Sequence, residues 1–221
     1  MRLMLAAALA LSGLVVASDG PARAVPGVCP PICDAIPDSA WIAPTSIPLY
    51  SVYQWPGLAG LAVTAPAPRF EFEQLCDSPP VAGDARDYAV AARALVPNRD
   101  GHWHLRAQVI HWRGDTVTGG PTALAALETA RVRLQNCQLT APLTSPSITT
   151  SDVQRVAAVV SVPGQRVVHE YLLAEPNSST VVELAMWASV PPRVDWPAVP
   201  DAEMFEAMAA PLCSGYLGSC R

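Results

Sequence analysis

Residues 153–190 read VQRVAAVVSVPGQRVVHEYLLAEPNSSTVVELAMWASV, and this stretch decides the fold. Three Val-rich runs, 153–162, 167–174 and 180–190, have the β-branched content of strands. Pro163-Gly164-Gln165 and Pro176-Asn177-Ser178-Ser179 separate them, and both are rich in turn formers. A parallel crossover needs a dozen or more residues. Connections this short therefore predict an antiparallel meander.

Upstream, residues 103–112 (WHLRAQVIHW) predict a strand with Trp103, Leu105, Ala107 and Val109 on one face. The turn Pro97 to Gly101 joins it to a candidate strand at 88–96, whose alanines leave helix open. Residues 69–75 (RFEFEQL) alternate Phe70 and Phe72 with Glu71 and Glu73, the pattern of a half-buried strand. Residues 49–55 and 58–64 are two further short β-rich runs parted by Pro56-Gly57, and 79–85 is a loop.

The period changes at residues 121–136, where Leu124, Leu127, Ala130, Leu134 and Cys137 follow helical spacing. Pro121 after Gly119-Gly120 suits a first helical position, and Arg131 and Arg133 sit where the helix dipole favours cations. Residues 140–151 predict a surface connection. Beyond the meander, 191–200 is a Pro-rich link. Residues 201–212 (DAEMFEAMAAPL) predict a closing helix whose apolar stripe is Met204, Phe205, Met208 and Leu212. Runs of strands with isolated helices predict an α+β fold: an antiparallel β-sheet with two main helices packed on one face.

The N-terminus predicts export. Arg2 precedes an apolar run from Leu3 to Ala17, and Ala22-Arg23-Ala24 has the small-x-small pattern of a cleavage site. The run is shorter than the ~20 residues of a spanning helix, so 1–24 reads as a signal peptide and no lasting membrane span is expected. Residues 25–48 form a Pro-rich N-terminal extension and 49–221 the folded domain. The protein is expected in the periplasm or cell envelope, or secreted. Every one of the 14 basic residues is Arg, which with the Ala, Val and Pro content points to a GC-rich, actinobacterial type of genome.

Removing Arg2, Arg23 and Asp19 takes the net charge from -5 to -6. An acidic domain repels phosphate backbones, which excludes nucleic acid as a partner. The mature chain holds 6 cysteines, Cys29, Cys33, Cys76, Cys137, Cys213 and Cys220. An even number in an exported chain predicts disulfides. Zinc would need paired Cys-x2-Cys spacing, which is missing, and no cofactor is implied.

No motif carries catalysis. His102 and His104 share a strand face and could chelate a metal, but no third ligand has suitable spacing; a polar strand end is the simpler reading. His111 has the opposite parity. His169, Glu170 and Asp152 could belong to a hydrolase, yet no nucleophile elbow accompanies them. Glu71 and Glu73 could serve a glycosidase, or face solvent. Trp103, Trp112, Trp187 and Trp196 could line a cleft, or fill the core. Asn177-Ser-Ser is a glycosylation sequon that doubles as a turn.

The layout of residues 76–213 resembles the PknH-like extracellular sensor domain family, found on actinobacterial kinases and on separate exported proteins. The resemblance rests on Ala107 to Trp112 followed by the Ala-rich TALAALETARVRLQNC (122–137), on Cys76 upstream, and on the hairpin 167–187 with its closing helix at 201–212. It implies a Cys76–Cys137 bridge, a sheet flanked by helices, and a cleft that binds a ligand. The chain departs from the family in lacking a bridge within the late hairpin and in carrying extra cysteines at its ends. For Cys29, Cys33, Cys213 and Cys220 both local pairing and pairing between the two ends stay open. The reading is a non-catalytic, sensor-like or ligand-binding domain whose partner is a small molecule, a lipid or an envelope protein. The alternatives are an accessory protein that binds another envelope protein, and an envelope hydrolase.

Overall fold

A computed structural model describes residues 36–216 and Ser219. The expected signal peptide, and Cys29, Cys33 and Cys220, lie outside the described residues. The element order is α1 (Tyr50–Tyr53), β1 (Val63–Thr64), α2 (Glu71–Leu75), β2 (Val90–Val96), β3 (His104–His111), α3 (Thr116–Gln135), α4 (Cys137–Thr140), β4 (Ser145–Ser151), β5 (Arg155–Val162), β6 (Arg166–Glu175), β7 (Thr180–Ser189) and α5 (Asp201–Gly215). The strands form one antiparallel sheet in the order β1-β2-β3-β7-β6-β5-β4. The meander β5-β6-β7 and the hairpin β2-β3 stand as expected, and β3 joins the two halves by pairing His104 with Trp187 and His111 with Thr180.

The fold is α+β, but the two main helices do not share a face. α5 lays Met204, Phe205, Met208 and Leu212 on Leu105, Ala107, Val109, Leu184 and Met186. α3 lays Ala123, Leu127, Ala130 and Leu134 on the opposite side, against Ile110, Val156, Leu172 and Val181. The reason is in the strands: β7 is buried at all but two positions, so both faces need cover and one helix layer cannot supply it. The described part of the Pro-rich stretch joins the α5 layer, where Ala40, Trp41, Ile42 and Ile47 are buried.

Four other expectations are corrected. Residues 49–55 hold the short helix α1 between left-handed Leu49 and Gln54, not a strand. In 58–64 only Val63–Thr64 is strand, after a 3-10 turn at Ala59–Leu61. α3 begins at Thr116, well before Gly119-Gly120-Pro121, because Asp115 caps it by accepting from Thr118 N at 2.8 Å. The two glycines then lie inside the helix, where a Cβ on Gly120 would meet the Pro176 carbonyl oxygen at 2.6 Å. Residues 140–151 are more than a connection: β4 is the sheet's outer strand, its polar side chains alternately exposed.

Cys76 and Cys137 are disulfide-bonded with Cα atoms 4.8 Å apart, joining the ends of α2 and α3. Cys213 is also disulfide-bonded.

Candidate ligand site

The strongest departure from the sequence reading is at RFEFEQL. Residues 71–75 form α2, and Phe70, Glu71, Phe72 and Glu73 are all buried. An alternating pattern fits a strand only if one set of side chains reaches water. Here the charged set is buried too, because arginines from other elements meet it. Residues two apart on a helix point to different sides, so Glu71 and Glu73 enter separate clusters and form no catalytic pair.

Glu71 faces the sheet. Arg106 of β3 donates through Nη1 to Glu71 at 2.7 Å, and through Nε and Nη2 to Glu183 of β7 at 3.1 and 2.8 Å. Arg166 of β6 donates to the other Glu71 oxygen at 2.6 Å. The first amides of α2 complete the cluster: Glu71 N donates to Glu183 at 2.6 Å and Phe72 N to Glu170 at 3.2 Å. Burial pushes the Glu170 carboxyl well above the usual carboxylate range, and neighbouring Glu183 adds to the shift. That shift favours the protonated carboxyl of Glu170, while Glu71 and Glu183 are the carboxylates that meet the two guanidiniums. Arg106 loses solvation, yet Glu183 and Glu71 still raise its pKa. A buried ion pair is tolerable only when its hydrogen bonds are satisfied in this manner.

Glu73 points the other way. It accepts from Arg69 Nε at 3.1 Å, from Phe70 N at 2.8 Å, from Arg86 at 2.8 and 3.0 Å, and from Arg133. Burial and nearby Arg69 lower the Arg133 pKa. Beside this cluster a pocket of about 260 Å³ is lined by Arg69, Glu73, Gln74, Asp77, Ser78 and Pro80.

The residues weighed for a hydrolase, His169, Glu170 and Asp152, are not brought together. His169 and Glu170 stand on opposite faces of β6. His169 stacks on Trp196 with ring centroids 3.7 Å apart, against Trp103 at 5.5 Å. Asp152 shapes the β4–β5 turn by accepting from Gln154 N and Arg155 N, both at 2.9 Å. His102 and His104 also part. His102 lies before β3, its Nδ1 3.4 Å from Tyr53 Oη, while His104 Nδ1 accepts from Asn98 N at 3.1 Å. His111 stacks on Tyr216 on the α5 side. Among the described residues no three His, Cys, Asp or Glu side chains are grouped to hold a metal ion, and no helix is long and apolar enough to cross a membrane. Trp103 and Trp112 are core. Asn177 lies in the 3-10 turn Pro176–Ser178 and donates to Ser219 O at 3.2 Å.

Trp187 differs. It is only half-buried and stands on the α3 face beyond the cover of α2, with the His104 ring parallel to it at 5.4 Å and 2°. The Arg166 guanidinium lies over its other side, 4.9 Å from the ring centroid. His104, Trp187 and Arg166 thus stack in a row across β3, β7 and β6. On β2, Leu95 is 49% exposed and opposes Arg106, two residues along β3 from His104. Arg93 next to it donates to Gln108 at 2.9 Å. Burial and the Arg166 charge lower the His104 pKa, so at neutral pH the row presents one apolar indole, a neutral imidazole and a cation.

Sequence reasoning singled out Trp187 as one of four tryptophans that could line a cleft, and His104 only as a metal chelator. It missed Arg166 and Arg106; a charged residue at an inward position of an apolar strand, as in HLRAQVI, was the available signal. No family model, curated protein or solved structure matches the chain.

Proposed function

We propose that the chain is an exported, non-catalytic binding domain of the cell envelope, of the sensor-like kind implied by its PknH-like layout. The observation that carries this reading is the open row His104–Trp187–Arg166 with exposed Leu95 beside it. A flat apolar group flanked by a guanidinium suits a small molecule or lipid that joins an apolar body to an anionic group. Three of the four buried carboxylates favour binding over catalysis: Glu71, Glu73 and Glu183 are each engaged by arginine, and the fourth, Glu170, is enclosed between β6 and α2.

The test is titration of the cleaved protein with envelope ligands, reading tryptophan emission and melting temperature. Saturation at about a hundred times Kd stabilises the folded state by roughly 2.7 kcal/mol. Trp187→Ala should remove both signals; a ligand that shifts emission and melting equally in that variant would place binding elsewhere. No response to any envelope ligand would sink the reading.

A second reading, an accessory protein that binds another envelope protein, is favoured by the exposed Pro191, Arg193 and Asp195 of the Pro-rich link. Crosslinking in the source cell would then capture one dominant partner through this segment.

A further inference from the structure

β4 pairs with β5 on one side and with nothing in the described chain on the other. Its sequence, SPSITTS, carries no charge. Open edges normally hold charged residues that repel a second strand. Here Pro146 and one bulge between Ile148 and Thr150 are the only interruptions. The strand is held firmly in its own sheet: Ile148 packs on the α3-side core and Thr150 Oγ1 donates to Asp201 at 2.6 Å. The nearest charges are already used, since Asp152 and Arg155 pair with each other at 2.8 Å.

The ends of this edge are apolar. Leu139 and Leu143 precede β4 and are 80% and 76% exposed, and Val153 follows it at 72%. These are among the most exposed large hydrophobic side chains described. An antiparallel copy of β4 lies with its C-terminal end beside the first strand's N-terminal end, so Leu143 of each chain approaches Val153 of the other. A foreign strand would be selected by charges along the edge, and the described β4 carries none. A second copy needs none, and for a chain of net charge -5 this uncharged edge is where two copies meet with least repulsion.

We propose that two copies of this chain associate through antiparallel β4–β4 pairing across a two-fold axis, making one continuous sheet from both. A short edge contact buries less than a standard interface, so the dimer is weak and concentration-dependent.

Sedimentation velocity of the cleaved chain across a concentration series tests this. The expected result is a monomer that becomes a dimer as concentration rises. Leu143→Lys with Val153→Lys sets like charges against each other and should leave a monomer with unchanged melting temperature. Leu143→Lys with Val153→Glu sets opposite charges together and should restore the dimer lost in either single variant. Amides of residues 145–151 should gain hydrogen-exchange protection with concentration. A wild type that stays monomeric, a dimer indifferent to the two lysines, or an opposite-charge variant no better than the single ones would overturn the proposal.

Discussion

His169 and Glu170 are adjacent on β6, occupy opposite faces of the sheet, and are denied charge by burial in opposite senses: the imidazole pKa falls to about 4 and the carboxyl pKa rises. One loses its proton readily and the other keeps it. Acidification therefore works against the His169 face and in favour of the Glu170 face of the same strand.

His169 governs the acid side. Its folded pKa of about 4 lies below the ordinary value of about 6.5. Its stabilising contribution is complete above pH ~6.5 and is lost as pH falls towards the folded value. His169→Phe keeps an aromatic ring against Trp196 but has no proton to gain. Urea denaturation between pH 7 and 4 should show the variant sparing on the order of 2–3 kcal/mol of the wild-type loss.

Glu170 governs the other side. Its folded pKa is raised, so its contribution is complete below the ordinary carboxylate pKa of about 4.3 and fades as pH rises through the folded value. Glu170→Gln imitates the protonated form and can still donate to Glu183. Its stability should lack the wild-type decline, on the order of 1 kcal/mol per pH unit over that window. A variant with the same slope as wild type above pH ~4.3 would show that Glu170 titrates normally.

The sequence made the meander, the β2-β3 hairpin and α5 legible because each is patterned by local physics: turn formers, β-branched runs, a stripe at helical spacing. It did not reveal α2. Nothing local distinguishes RFEFEQL from a strand, since the charges that make burial of Glu71 and Glu73 possible come from Arg106, Arg166, Arg86 and Arg133 in distant segments. The open row was half legible. Trp187 and His104 stood out as residue types, but their neighbourhood depends on the β3–β7 register, which no local pattern encodes.

Gly120 is required by close approach. Gly120→Ala improves helix propensity by about 1 kcal/mol but drives a methyl against the Pro176 carbonyl, so a net loss of about 1–3 kcal/mol is expected. Gly57→Ala, where nothing lies within 4 Å, should be close to neutral. Chemical denaturation of both variants makes the comparison.

The Cys76–Cys137 bridge spans a sequence separation of 61. Replacing both cysteines with serine should cost about 4 kcal/mol by restoring freedom to the unfolded chain. The denaturation midpoint should fall accordingly, and α2 amides should exchange first because its docking loses the covalent tie to α3.

The pairing of β3 with β7 also sets an order of events in time. β3 lies early in the chain and its partner near the end, with α3 and the outer meander between them. Contacts of such long sequence separation slow folding, because loop closure comes before any reward. As the chain is made, the β2-β3 hairpin waits with one side unpaired until Ser189 has followed. The half-made sheet is then the species most exposed to aggregation, and a helper that shields its free edge would act on the nascent chain rather than on the finished fold.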